Sequence, residues 1–104
     1  MKEITAIIRM DMYDKTKEAL LNQGFASMHS RKVMGRGKKK ILAEYTLMPK
    51  KMLVLTVDDK NVSIIVDTII RVNSTGNPGN GKIFVTSVKD VIRVRTGEMG
   101  VEAL

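Results

Sequence analysis

Apolar residues recur along this chain at two periods, and the switch between them lays out its elements. From Lys2 to Arg9 every second residue, Ile4, Ala6 and Ile8, is apolar, the pattern of a strand with one buried side. Met12, Thr16, Ala19, Leu20 and Gln23 then fall at helical spacing with Lys15, Lys17 and Glu18 outside. Asp11 or Asp14 is placed to cap that helix and Gly24 to stop it. Phe25 to Met34 reads as a second strand and Met52 to Val57 as a third. Between them, Gly35-Arg36-Gly37 and the lysines that follow open a loop running to Met48-Pro49, because glycine weakens a strand interior. Asp58 and Asp59 cap a second helix with the stripe Val62, Ile65, Val66, Ile69 and Ile70, one apolar face at helical period. Ile83 to Val88 reads as a fourth strand, Val91 to Val94 as a short extended piece and Met99 to Leu104 as a tail.

The order is strand-helix-strand, loop, strand-helix-strand. Two such units interleave into an α+β, ferredoxin-like βαββαβ sandwich, a four-stranded antiparallel sheet with both helices on one face. Residues 1–104 then form a single domain with a mobile loop over about 36–49, a glycine loop over 73–82 and a C-terminal loop over 90–104. The sheet's other face is left bare; Ile7, Val33, Leu53, Leu55 and Val85 are assigned to it. A small domain rarely exposes such a surface, so self-association is expected to bury it.

Composition narrows the function. A formal net charge of +7 implies an anionic partner, whether nucleic acid, nucleotide or acidic protein surface. Basic residues gather at Arg31, Lys32, Arg36, Lys38, Lys39, Lys40, Lys50, Lys51, Lys82, Arg93 and Arg95. The absence of cysteine excludes a disulfide framework and thiolate metal sites. The N-terminus lacks the pattern of a secretory signal and the apolar runs are too short to span a bilayer, so a cytoplasmic location without membrane insertion is expected.

Candidate chemistry concentrates in Thr75-Gly76-Asn77-Pro78-Gly79-Asn80-Gly81-Lys82. Glycine lets backbone N–H groups close on an anion, successive N–H groups in a turn form an anion nest, and a lysine at its edge adds charge. Arg93 and Arg95, on alternate residues, point the same way if that segment is extended. The stretch fits a polyphosphate site built from loops; a hairpin-type turn with solvated charges fits the loop taken alone. The single histidine, His29, makes no metal site by itself. With no nucleophile–base pair or carboxylate dyad in sight, no enzyme is expected. The layout also fits an RNA-binding domain of the RRM type, which needs aromatic residues on its central strands. The four aromatics are Tyr13, Phe25, Tyr45 and Phe84, and Met52 to Val57 holds none.

Several blocks together resemble the PII-type nitrogen regulatory proteins over nearly the whole chain: Val66-Asp67-Thr68-Ile69-Ile70-Arg71, Thr75-Gly76, Gly79-Asn80-Gly81-Lys82-Ile83-Phe84-Val85 and Ile92-Arg93-Val94-Arg95-Thr96-Gly97-Glu98, with Ala6-Ile7-Ile8, Glu18-Ala19-Leu20, Gly24, Met28 and Gly35-x-Gly37 in the first half. The family's pattern has Asp where Asn80 stands and Pro where Met10 stands. The resemblance implies a trimer of ferredoxin-like subunits with ATP or ADP in each cleft between neighbours. Gly79, Asn80, Gly81 and Lys82, with Gly35, Arg36, Gly37 and Lys38, would come from one subunit, and Arg93 and Arg95 from the next. Ile7 and His29 join the nucleotide-binding set, His29 because the family has a hydroxyl residue there at the adenine end. The resemblance also implies 2-oxoglutarate sensing through magnesium on the ATP phosphates, at positions matching Lys39 and Lys50. Where Lys39 stands the family commonly has Gln, and a cationic lysine does not ligate magnesium as an amide oxygen would. Direct pairing of Lys39 with phosphate or carboxylate is the alternative.

The loop from Gly37 to Pro49 is several residues shorter than in common members. Ala43-Glu44-Tyr45 resembles the segment whose tyrosine is uridylylated in some of them, although the nitrogen-fixation branch is not expected to use that modification at Tyr45. Gly35-Arg36-Gly37-Lys38, Asn73 and the ending Glu98-Met99-Gly100-Val101-Glu102-Ala103-Leu104 look most like that branch, and within it the second of two paralogues that act together. The resemblance then implies nitrogenase as target, switched off when ammonium is plentiful, and a homotrimer or a hetero-oligomer with the other paralogue. A PII regulator of an ammonium transporter or a nitrogen-assimilation enzyme is the alternative.

Overall fold

The computed structural model describes residues 1–41, 44–76 and 79–104, with residues 36–41 and 44–47 described by their backbone alone. The chain runs β1 (Lys2–Arg9), a 3-10 turn (Met10–Met12), α1 (Tyr13–Asn22), β2 (His29–Ile41), β3 (Glu44–Val57), a 3-10 turn (Asp59–Asn61), α2 (Val62–Asn73), β4 (Lys82–Ser87) and a 3-10 turn (Gly100–Ala103). The four strands form one sheet in the order β2-β3-β1-β4, every neighbouring pair antiparallel. This is the ferredoxin-like α+β sandwich that the repeated strand-helix-strand pattern predicts.

Register decides which residues face the helices. Ile4 lies opposite Leu55 and Val85, and Ala6 opposite Leu53 and Ile83. Directly opposed residues share a face, so these belong to the helix side. Ile4, Ala6, Ile8, Leu53, Leu55, Val57, Leu20, Ile65 and Ile69 form the core, with Tyr13, Phe25, Met28, Val62, Val66 and Ile83 packed around it. The expectation that Leu53, Leu55 and Val85 face the bare side is therefore corrected. Leu53 and Leu55 are buried beneath the helices, and Val85 is on the same side but 45% exposed, on edge strand β4. Ile7 and Val33 do lie on the open face, where Ile7 shares a row with Met52 and Lys82.

The segment between β2 and β3 also differs from expectation. In place of a loop over 36–49, β2 and β3 pair as one long hairpin from His29↔Val54 out to Ile41↔Glu44, with a register shift between Arg36 and Lys40. Hairpin pairing is local in sequence and offers the backbone partners even where glycine and lysine have weak strand preference. A shift of this kind absorbs residues that do not fit the ladder. The molecule measures 54 × 23 × 20 Å.

The helix ends follow local chemistry. Gly24, at φ +91°, ends α1: its N–H donates to the Leu21 carbonyl, and that of Phe25 to the Leu20 carbonyl, at 2.9 and 3.0 Å. These are the paired bonds of a Schellman stop. Neither Asp11 nor Asp14 caps α1, because its cap position is Met12 and Asp11 is held by Arg9 at 2.6 Å. Asp58 caps the turn leading into α2, accepting from the Lys60 N–H at 3.4 Å. Asp59 instead binds the Met1 ammonium at 2.9 Å. On α2, Ile70 is half exposed, and buried polar residues share the inner face. Asn73 Nδ2 donates to Thr16 Oγ1 at 3.0 Å and to the Ile69 carbonyl at 2.8 Å, joining the two helices.

Candidate functional site

The glycine turn is seated on the end of β1. Gly79 and Gly81 have φ of +91° and +111°, conformations that favour glycine. A Cβ on Gly81 would run into the carbonyl oxygen of Ile7, so the turn lies directly on the β1 backbone. Lys82 then enters β4 opposite Ile7. Thr75 Oγ1 donates to Asn80 Oδ1 at 2.9 Å, bracing the two ends of the turn. Thr75 heads the stretch in which the sequence gathers the candidate chemistry.

From the other side, Lys50 on β3 donates to the Gly79 carbonyl at 2.8 Å. Lys50 pairs across the hairpin with Val33 and across β1 with Arg9, and a Cβ on Gly35 would touch its side chain at 3.5 Å. Ile7, Gly35, Lys50, Gly79, Asn80, Gly81 and Lys82 therefore converge at one end of the sheet, where strand β1 ends and the hairpin leaves the body. The ion pairs among the described residues include neither Lys50 nor Lys82. The result is a positively charged surface beside exposed glycine backbone, a chemistry that attracts anions. His29 lies on the same open face, exposed, in the row of Val54, Thr5 and Phe84.

Arg93 and Arg95 are not brought to this end. β4 carries the chain from Lys82, opposite Ile7, to Ser87, opposite Lys2, and the Val88 N–H then donates to the Met1 carbonyl. At about 3.3 Å per residue the strand alone separates the two ends by about 17 Å. The expected extended piece over Val91–Val94 is instead one side of a closed loop. Ile92 bridges to Met99, the Arg93 N–H donates to the Glu98 carbonyl, and the Gly97 N–H to the Arg93 carbonyl. Arg93 also donates from Nη2 to the Leu104 carbonyl at 3.1 Å and lies 3.7 Å from Glu98, while Arg95 is exposed in the turn. The two arginines thus do not line one side of a strand; the threonine-glycine pair after them closes a turn.

The side chains at Arg36, Gly37, Lys38, Lys39, Glu44 and Tyr45 lie outside the described residues, as do Asn77 and Pro78. Among the described residues no three His, Cys, Asp or Glu side chains gather as a metal would require, and no helix is long and apolar enough to cross a membrane. Phe84, 49% exposed, is the one aromatic on the open sheet face among the described residues, which by themselves do not build the stacking platform of an RNA-binding domain.

A four-stranded antiparallel sheet with both helices on one face defines the class as a ferredoxin-like α+β domain. Comparison gives the family within it: residues 1–98 match the family Nitrogen regulatory protein P-II, and the chain belongs to that family. It is 41% identical to "Nitrogen fixation nifHD region GlnB-like protein 2" of Methanothermobacter marburgensis and 39% identical to the protein of that name from Methanococcus maripaludis, each alignment covering 100% of both chains. It is also 41% identical to "Nitrogen regulatory protein P-II" of Nostoc punctiforme, again over 100% of both. The first alignment runs over 121 positions against the 104 residues here, so that relative carries residues this chain lacks. The second nitrogen-fixation-region paralogue, to which the ending and Asn73 pointed, is the kind of relative found.

Proposed function

We propose that the chain is a nucleotide-dependent regulator of nitrogenase, acting in the cytoplasm by direct protein contact when ammonium is plentiful. ATP or ADP binds between neighbouring copies in a trimer. Ile7, Gly35, Arg36, Gly37, Lys38, Gly79, Asn80, Gly81 and Lys82 come from one copy and Arg93 and Arg95 from the next, with His29 at the adenine end. The observation that carries this reading is that the glycine turn and the arginine loop stand at opposite ends of one sheet, so a single copy cannot apply both to one ligand. The apolar residues on the open face, Ile7, Val33, Met52, Val54 and Phe84, give a second copy something to cover.

The phosphate fit rests on the glycine turn, where no Cβ stands between ligand and backbone N–H groups. Sensing of 2-oxoglutarate at the same cleft falls to Lys39 and Lys50, which pair with carboxylates as cations. Magnesium accompanying the nucleotide would sit on its phosphates, and Asn80 Oδ1 is the amide oxygen among the described side chains of the site that could join them. An anion that draws Lys50 away from the Gly79 carbonyl would release the hairpin base from the glycine turn, a route from ligand to target contact. The nitrogen-fixation names of the relatives support nitrogenase as target, with a P-II paralogue as further partner. The Nostoc relative's plainer name favours a second reading, regulation of an ammonium transporter or a nitrogen-assimilation enzyme.

The test is substrate reduction by purified nitrogenase with the protein added, alone and with its paralogue. Inhibition that ATP plus 2-oxoglutarate relieves is expected. Unchanged nitrogenase turnover, with capture of a transporter or a biosynthetic enzyme in its place, would contradict the nitrogenase reading.

A further inference from the structure

The helix-side surface at the base of the hairpin carries a second set of cations that the nucleotide cleft does not use. Lys32 on β2 lies directly opposite Lys51 on β3, on the side of the sheet that carries the helices, since Lys51 is also opposite the buried Ile8. Like charges opposed across an antiparallel pair repel. Lys17 joins them from α1. The ring of Tyr13 lies between, with Lys51 Nζ at 4.7 Å and Lys17 Nζ at 5.5 Å from its centre, and its hydroxyl is 2.8 Å from Ser30 Oγ. None of the three lysines takes part in an ion pair among the described residues. Next along the same face is Met34, 57% exposed. The patch therefore combines unpaired positive charge, an aromatic ring that fixes two of the ammonium groups, and a flexible thioether of the kind that adapts to apolar partners.

We propose that Tyr13, Lys17, Ser30, Lys32, Met34 and Lys51 form a docking surface for an acidic protein segment with an apolar anchor. Carboxylates of the segment relieve the Lys32–Lys51 opposition, and an aliphatic or aromatic side chain lies on Met34. The patch lies on the helix side of the sheet, whereas Lys50, on the open side, reaches the Gly79 carbonyl, so a segment bound here leaves that contact in place. It also touches the base of the hairpin beside Lys50, so its occupant feels any shift of β2 and β3. A protein segment is favoured over a nucleic acid because the cations form one compact cluster with an apolar rim, not a track along which a phosphate backbone runs.

The experiment titrates the full chain with a fluorescent synthetic peptide of alternating Glu and Leu, following anisotropy, with an all-Glu peptide, an anionic vesicle and single-stranded RNA as controls. Specific binding of the Glu/Leu peptide is expected. The double variant K32E/K51E should weaken it by about tenfold or more, as reversal of contact charges does, while ATP affinity stays unchanged. M34A should weaken the peptide with the salt dependence intact. Equal binding of the all-Glu peptide, tighter binding of vesicle or RNA, or no loss in K32E/K51E would overturn the proposal. Because the double variant keeps a like-charged pair across the strands, an unchanged melting temperature is expected, and the M34A result stands independently of it.

Discussion

Lys50 Nζ donates to the Gly79 carbonyl at 2.8 Å, tying the base of the hairpin to the glycine turn. The bond is exposed, and such bonds contribute about 1 kcal/mol or less to stability. Lys50→Met should therefore leave the melting temperature nearly unchanged. It should lower 2-oxoglutarate affinity about tenfold, since a cation is lost where the carboxylates are proposed to pair. Calorimetric titration beside a thermal melt checks both halves; an equal loss in stability would mean that Lys50 holds the fold and not the ligand.

The glycines of the turn are not equivalent. Gly81 has both a positive φ and the Ile7 carbonyl against it, whereas Gly76, at φ +76°, has nothing among the described residues within 4 Å of its missing Cβ. Gly81→Ala should cost more than about 2 kcal/mol and abolish ATP binding, while Gly76→Ala should cost about 1 kcal/mol from backbone conformation alone. Urea denaturation of the two variants checks the order.

Asn73 joins α2 to α1 through Thr16 Oγ1, and its own Oδ1 is buried without a partner among the described residues. Asn73→Ala should destabilise by about 1–2 kcal/mol, because two bonds are lost but an unsatisfied acceptor goes with them. Asn73→Asp should cost more, because it buries a carboxylate in the same place. Chemical denaturation at neutral pH measures both, and a variant with alanine more stable than the parent would refute the structural role.

The carboxyl of Asp59 is held below its usual range, first by its hydrogen bond to the N-terminal ammonium and then by the charge of Lys2. A depressed carboxylate contributes stability at pH values above its unfolded pKa, and the contribution fades as pH falls through the folded value. The gap in melting temperature between the parent and Asp59→Asn should be present at neutral pH and shrink as the pH falls below the ordinary aspartate range. A gap that widens in acid would reverse the sign. The effect is small, since Asp59 is exposed.

Much of this was legible from the chain. Ile4, Ala6 and Ile8 announced β1 with its buried side, and Gly24 announced the end of α1, because alternation and left-handed glycine are local signals. The hairpin was not legible: Gly35, Gly37 and the lysines read as a loop, and only the pairing with Glu44–Val57 makes them strand. The faces of Leu53, Leu55 and Val85 were not legible, because register is a property of two strands and not of one. At the site, Gly79, Gly81 and Lys82 were visible as a motif, whereas the Ile7 carbonyl and the Lys50 bond come from distant sequence. The spacing of Arg93 and Arg95 misled, since the turn closed by Gly97 sets their directions and strand alternation does not.

The most direct test of the shared cleft is complementation. Lys82→Glu and Arg95→Glu should each abolish ATP binding in isothermal titration. When the two variants are unfolded together and refolded as a mixture, some clefts join an intact glycine turn to an intact arginine loop. A measurable fraction of ATP sites with parental affinity is the predicted result. No recovered sites in the mixture, or parental affinity in Arg95→Glu alone, would contradict a site built from two copies.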